Sequence, residues 1–149
     1  MKTLIVPILA GFLTVTGLTL SAGEPTVNPT GTWIVTISTT NTQARPAGQT
    51  LKLKLEGEQL TGTLSRNAGG KIEQLAIEEG NLNGSDISFT TRHFALVYEH
   101  NVLQPTDTNL VTHSVFQGQI RGDTIKGKVE REYMGNRRTQ DWEAKRVKE

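Results

Sequence analysis

The chain contains no cysteine. It therefore has no disulfide, no thiolate metal cluster, no cysteine nucleophile and no lipid-modified cysteine. Aromatic side chains are scarce, with two Trp, two Tyr and four Phe among 149 residues. That scarcity argues against a large aromatic ligand pocket. Neither sign of charge dominates, since 16 basic side chains face 15 acidic ones. A near-neutral chain is a poor general binder of nucleic acid, which needs excess positive charge. The length suits one domain.

The one long apolar run lies at the start. Residues 1–22 carry a single charge, Lys2, and finish on Leu20-Ser21-Ala22. A short basic start, an apolar stretch and a small residue at the end are the parts of a secretory signal peptide. Cleavage is expected after Ala22, with Gly23 as the other choice. A retained membrane anchor is the competing reading, because the run is about long enough to span a bilayer. Pro7, Gly11, Gly17 and the hydroxyl residues weaken it. Cleavage after Ala22 takes 22 of the 149 residues and leaves 127. The mature domain is then formally neutral, with no stable membrane anchor. A cysteine-free exported chain points to a bacterial periplasm or the extracellular space.

Residues 23–30 contain Pro25 and Pro29 and read as an extended lead-in or tether. Strand alternation begins at 31, and residues 31–149 are expected to form the barrel domain. Trp33, Val35 and Ile37 share one face, opposite Thr32, Thr36 and Ser38. Leu51, Leu53 and Leu55 alternate with Lys52, Lys54 and Glu56. Leu60, Gly62 and Leu64 follow a Gly57 turn. In the next strand, Ile72 to Glu79, Ile72 is out of phase with Leu75 and Ile77, which predicts a bulge there. Asn83-Gly84 is a hairpin signal. Residues 86–104 read as one long bulged strand or two shorter ones. Leu110 to Ile120, Thr124 to Tyr133 and Thr139 to Val147 complete eight strands, with no helical stripe.

Three segments share one plan: Leu55 to Gly62, Leu82 to Phe89 and Ile120 to Gly127. Each places a Gly turn between two apolar strand residues, so the hairpin is the repeating unit. Gly62 and Gly127 stand where side chains would be expected, as sharp barrel corners require. The expected fold is all-β, an eight-stranded antiparallel up-and-down barrel. Closure removes both sheet edges. A two-sheet sandwich is the alternative.

Gly31-Thr32-Trp33 opens the first strand, and Trp142-Glu143-Ala144-Lys145-Arg146 ends the last. This pairing resembles the lipocalin or calycin arrangement. The wider pattern over residues 31–146 resembles small exported bacterial domains of that kind whose function is uncharacterised. The resemblance implies a lipocalin-like barrel in which Arg146, or else Lys145, covers Trp33. The chain departs from the family in being shorter, in lacking its disulfide and in lacking a clear helix beside the barrel. Ligand transport therefore does not carry over with the fold.

Catalytic and metal motifs are missing. His93, His100 and His113 have no zinc-motif spacing. His93 shares parity with Phe89 and Thr91, and His113 with Val111 and Val115, so the two are candidates to face one another inside the barrel. Glu78, Glu79, Asp86 and Asp107 have no spacing that fixes a carboxylate pair. Arg121-Gly122-Asp123 reads as a hairpin turn rather than an adhesion tripeptide. Residues 121–149 hold nine basic and six acidic side chains, and Arg131, Arg137 and Arg138 around Tyr133 suggest either an anion-binding patch or a solvated charged face.

The expected function is an exported, non-enzymatic barrel that binds a small apolar ligand or an envelope protein, with no cofactor, metal or nucleic acid. The candidate lining is Phe89, Thr91, His93, Tyr98, Thr112, Ser114, Phe116 and Tyr133. The alternatives are a small exported hydrolase or isomerase using His93 or His113 with an acid such as Glu99, or a purely structural interaction domain.

Overall fold

A computed structural model describes residues 27–38, 48–68, 70–94, 96–99, 102–105, 111–133 and 135–148. The expected signal peptide and the first part of the lead-in lie outside the described residues.

Strict polar–apolar alternation builds the wall. Strands β1 (Gly31–Ile37) and β2 (Gln49–Glu56) bury every second residue, Trp33, Val35 and Ile37 in one and Leu51 and Leu53 in the other. β3 (Gln59–Ala68), β4 (Lys71–Asn83) and β5 (Asp86–Phe94) follow. β6 (Leu96–Glu99) and β7 (Val102–Pro105) pair only with each other, as a two-stranded sheet. β8 (Val111–Arg121), β9 (Thr124–Tyr133) and β10 (Asn136–Arg146) complete the set. Eight strands form a closed barrel in the order β1-β10-β9-β8-β5-β4-β3-β2, all neighbours antiparallel. Barrel neighbours are neighbours in the chain except at β5–β8, where the β6–β7 hairpin intervenes, and at β1–β10, which closes the ring. The barrel expectation holds, and the sandwich is ruled out. The stretch 86–104, expected as one bulged strand or two, divides between β5, β6 and the start of β7. Pro105 ends β7.

The bulge lies elsewhere than the sequence suggested. Ile72 is 76% exposed and faces solvent in ordinary register with Asn67. The register shift falls between Glu78 and Asn81, and Glu79 adopts φ 51°. A single apolar residue on the outer face mimicked a phase error.

Gly62 and Gly127 are among the glycines required by close approach. A Cβ on Gly62 would overlap the Lys52 carbonyl oxygen, and one on Gly127 would overlap that of Gln117. At both points adjacent strands curl together as small barrels demand. Trp142 is the register partner of Gly127, which in turn faces Gly118. The indole lies over this glycine pair and donates its N–H to the Gln117 carbonyl at 3.0 Å. Phe89 and Phe116 stack at 4.8 Å, and Trp142 meets both edge-on. Each such aromatic contact adds roughly 0.5–1.5 kcal/mol beyond area burial.

One barrel end is clasped shut. It carries the tight β2–β3, β4–β5 and β8–β9 turns. The Arg146 guanidinium lies over the Trp33 ring, as the resemblance implied, and donates to the Thr30 and Asn28 carbonyls. The Trp33 indole N–H donates to the carbonyl of Pro29, itself buried. The described part of the lead-in, 27–30, is thus a packed plug. Asp123 of the Arg-Gly-Asp turn pairs with Arg146 at 3.3 Å, which gives that acid a structural task.

Candidate functional site

The opposite end is polar inside. The alternation that buries Leu60 and Leu64 on β3 continues to Arg66. The set Ile125, Gly127 and Val129 on β9 continues to Arg131. Leu75 and Ile77 on β4 are preceded by Glu73, and Phe89 and Thr91 on β5 are followed by His93. Period-two geometry keeps all these residues on the lumen side. β3 and β9 stand four strands apart in a ring of eight, so Arg66 and Arg131 come from opposite walls.

The charges meet at this end. Arg66 directs Nε and Nη2 to one carboxylate oxygen of Glu73, both at 2.7 Å. Arg131 has no carboxylate within salt-bridge distance among the described residues. Its Nη1 donates instead to Gln140 Oε1 at 3.4 Å, and Gln140 in turn donates to the Ser38 carbonyl at 2.8 Å. Burial, then the Arg66 charge, pulls the Arg131 guanidinium below its usual value. Burial first, then Arg66, pushes the His93 imidazole down to about 4. Arg131 and His113 add to that effect, and Glu73 opposes it. At neutral pH His93 is uncharged, and the Arg66 and Arg131 guanidiniums exceed the Glu73 carboxylate by one positive charge. The His93 Nδ1 atom is enclosed and makes no hydrogen bond to any described group. Below this cluster Thr91, Thr112 and Ser114 form a belt of buried hydroxyl residues. Ser114 is the register partner of both Thr91 and Arg131, and Thr112 that of His93.

The sequence-derived lining divides into three groups. Thr91, Thr112, Ser114 and half-buried His93 stand together at the polar end. Phe89 and Phe116 belong to the aromatic stack that fills the middle of the lumen. The side chains of Tyr98 and Tyr133 lie outside the described residues, as do Asp107, His100 and the side chain of Glu99. His113 does not face His93. It shares its face with exposed Val111 and Val115, so it lies on the outer surface opposite Arg92. The parity that grouped it with those valines was right, but their direction was outward. Arg66, Glu73, Arg131 and Gln140 were missed as site residues. Their signal was present, because each continues the parity of buried apolar neighbours.

The other expected clusters are accounted for on the surface. Glu78 pairs with Arg92 at 2.7 Å, Glu79 accepts from Thr90, and Asp86 accepts from Gln119. Arg137 pairs with Glu130 and Glu132, whereas Arg138 is exposed at the register position opposite Arg131, on the same face of the sheet. An outer groove of about 690 Å³ is lined by Ile34, Thr36, Lys126, Lys128, Asp141 and Glu143, among others. Its charges pair with one another, Lys128 with Asp141 and both Lys126 and Lys145 with Glu143. Among the described residues no group of three His, Asp or Glu side chains is placed to hold a metal ion.

No family model matches the chain, and no curated protein or solved structure matches it. The barrel is compatible with a lipocalin-like fold on its own geometry.

Proposed function

We propose that this is an exported, non-catalytic binding domain of the lipocalin-like kind, cleaved after Ala22, which takes a small ligand at the polar end of its barrel. One observation carries the reading. Four strands deliver Arg66, Glu73, His93 and Arg131 to a single end of the lumen, above buried hydroxyls, while the other end is clasped shut. Buried polar groups oppose folding unless they are satisfied or used. A barrel needing only stability would continue its leucines to this rim. Ligand sites favour barrel mouths that combine convergent polar groups with a formed cavity wall.

Binding is favoured over catalysis by what surrounds His93. A nucleophile–base pair needs an acceptor that orients the imidazole. The enclosed Nδ1 has none among the described residues, and the nearby Glu73 is engaged by Arg66. The aromatic stack also moves the reading away from a deep apolar pocket, since Phe89, Phe116 and Trp142 occupy that space. A periplasmic setting, where small solutes pass, agrees with the apolar leader and the lack of cysteine.

Native mass spectrometry of freshly purified mature protein, with thermal shifts across a metabolite panel, tests this reading. A retained small molecule or a shift of several degrees is expected. A clean apo mass with no shift from any compound overturns it and favours an interaction domain. Turnover that His93→Ala abolishes in a folded barrel would instead make it an enzyme.

A further inference from the structure

The binding reading leaves the chemistry of the ligand open, and the inference here rests on that reading. We propose that Arg66 and Arg131, reaching into the lumen from opposite walls with the enclosed Nδ1 of His93 beside them, bind the carboxylate of a small monoanionic organic molecule.

Three observations converge. The first is charge. Glu73 neutralises Arg66, while among the described residues Arg131 has only the amide of Gln140, at a long 3.4 Å. A half-buried guanidinium without a counter-charge is an unfavourable arrangement that an anion relieves. Among Arg66, Arg131 and Glu73 the excess is a single charge, which a monoanion balances. The second is geometry. A guanidinium presents a planar fork of N–H donors that matches the two oxygens of a carboxylate. Both Arg66 bonds end on the same Glu73 oxygen, so among the described residues its Nη1 amino group is left for a shared anion. The third is His93. As the Nδ1–H tautomer, the neutral imidazole supplies one donor, and its Nδ1 has no acceptor among the described residues. An anion between the arginines gives that N–H an acceptor. The wall beneath is made of hydroxyl residues and then stacked rings, so the ligand body lies shallow and is small.

The surface arginines offer a contrast. Arg137 is exposed and already faces Glu130 and Glu132. Exposed pairs of that kind contribute little and attract little. The same residue type therefore serves two purposes on one chain, divided by which face of the strand it occupies.

The experiment is calorimetric titration at low salt with matched probes: benzoate and hexanoate against benzamide and hexanol. The carboxylates are expected to bind at least about tenfold more tightly than their neutral partners. Arg131→Gln should remove about tenfold or more of carboxylate affinity and leave the neutral probes unchanged, whereas Arg137→Gln should change neither. Glu73→Gln raises the site charge by one. It should shift preference toward a dianion such as phthalate, a gain that unfolding cannot mimic. Equal binding of charged and neutral probes would overturn the carboxylate inference while leaving the binding reading intact. Carboxylate binding that survives Arg131→Gln in a folded variant would also overturn it. Failure of all four probes, together with a clean apo mass and no thermal shift, would remove both.

Discussion

The Arg146 guanidinium carbon lies 4.1 Å from the centroid of the Trp33 ring, while its terminal nitrogens donate to the Thr30 and Asn28 carbonyls at 2.6 and 2.8 Å. One side chain thus joins the first strand, the lead-in and the last strand. Arg146→Ala should destabilise the fold by about 2–3 kcal/mol, combining a partly desolvated cation–π contact with charge-assisted hydrogen bonds. Arg146→Lys should recover only part of this, because an ammonium lacks the planar fork. Urea unfolding midpoints for the two variants check the order.

Gly127→Ala places a methyl group against the Gln117 carbonyl oxygen, where backbone must move. A loss of about 3 kcal/mol or more is expected. Gly57→Ala meets no neighbour and is strained only by its φ of +63°, so about 1 kcal/mol is expected. Thermal unfolding of the two variants side by side separates steric overlap from backbone preference.

Trp142→Phe keeps a ring but removes the N–H donated to Gln117 and leaves space over the Gly118–Gly127 pair. About 2–4 kcal/mol should be lost, from a cavity and an unpartnered carbonyl. Near-ultraviolet circular dichroism should also change, since Phe89 and Phe116 both touch that indole.

His93 gives the fold an acid sensitivity. Its imidazole falls from 6.5 to about 4 on folding. Between those values the unfolded chain binds more protons, so stability rises with pH across this window and is lost on acidification. The charged and titratable groups acting on it are Arg66, Glu73, Arg131 and His113. His93→Gln should flatten stability between pH 6.5 and 4, which denaturation midpoints at stepped pH values will show.

The barrel was legible because alternation is a local signal. Trp33 to Ile37 and Leu51 to Leu55 declare their faces with no help from distant residues. The polar end was harder to read. Arg66 and Arg131 occupy lumen positions by parity alone, but a charged side chain at a strand end reads as solvated surface until the opposite wall is in place. His113 shows the converse: its parity was clear, yet Val111 and Val115 drew it inward in the reading while both face outward. Two exposed valines and one exposed isoleucine, Ile72, account for the errors of direction and bulge position, because apolar character is not the same as burial.

The seam between β1 and β10 sets the order in which the molecule can be completed. Seven of the eight barrel contacts join strands that are neighbours in the chain or lie one hairpin apart. The eighth joins β1 to β10 from opposite ends of the barrel sequence, with Trp33 the register partner of Arg146. Loop closure over such a distance is slow and comes after local pairing. A chain still lacking its last strand is an open sheet with β1 and β9 as bare edges, able to pair with other chains. The eleven residues of β10 therefore act as the molecule's own safeguard against assembly with its copies.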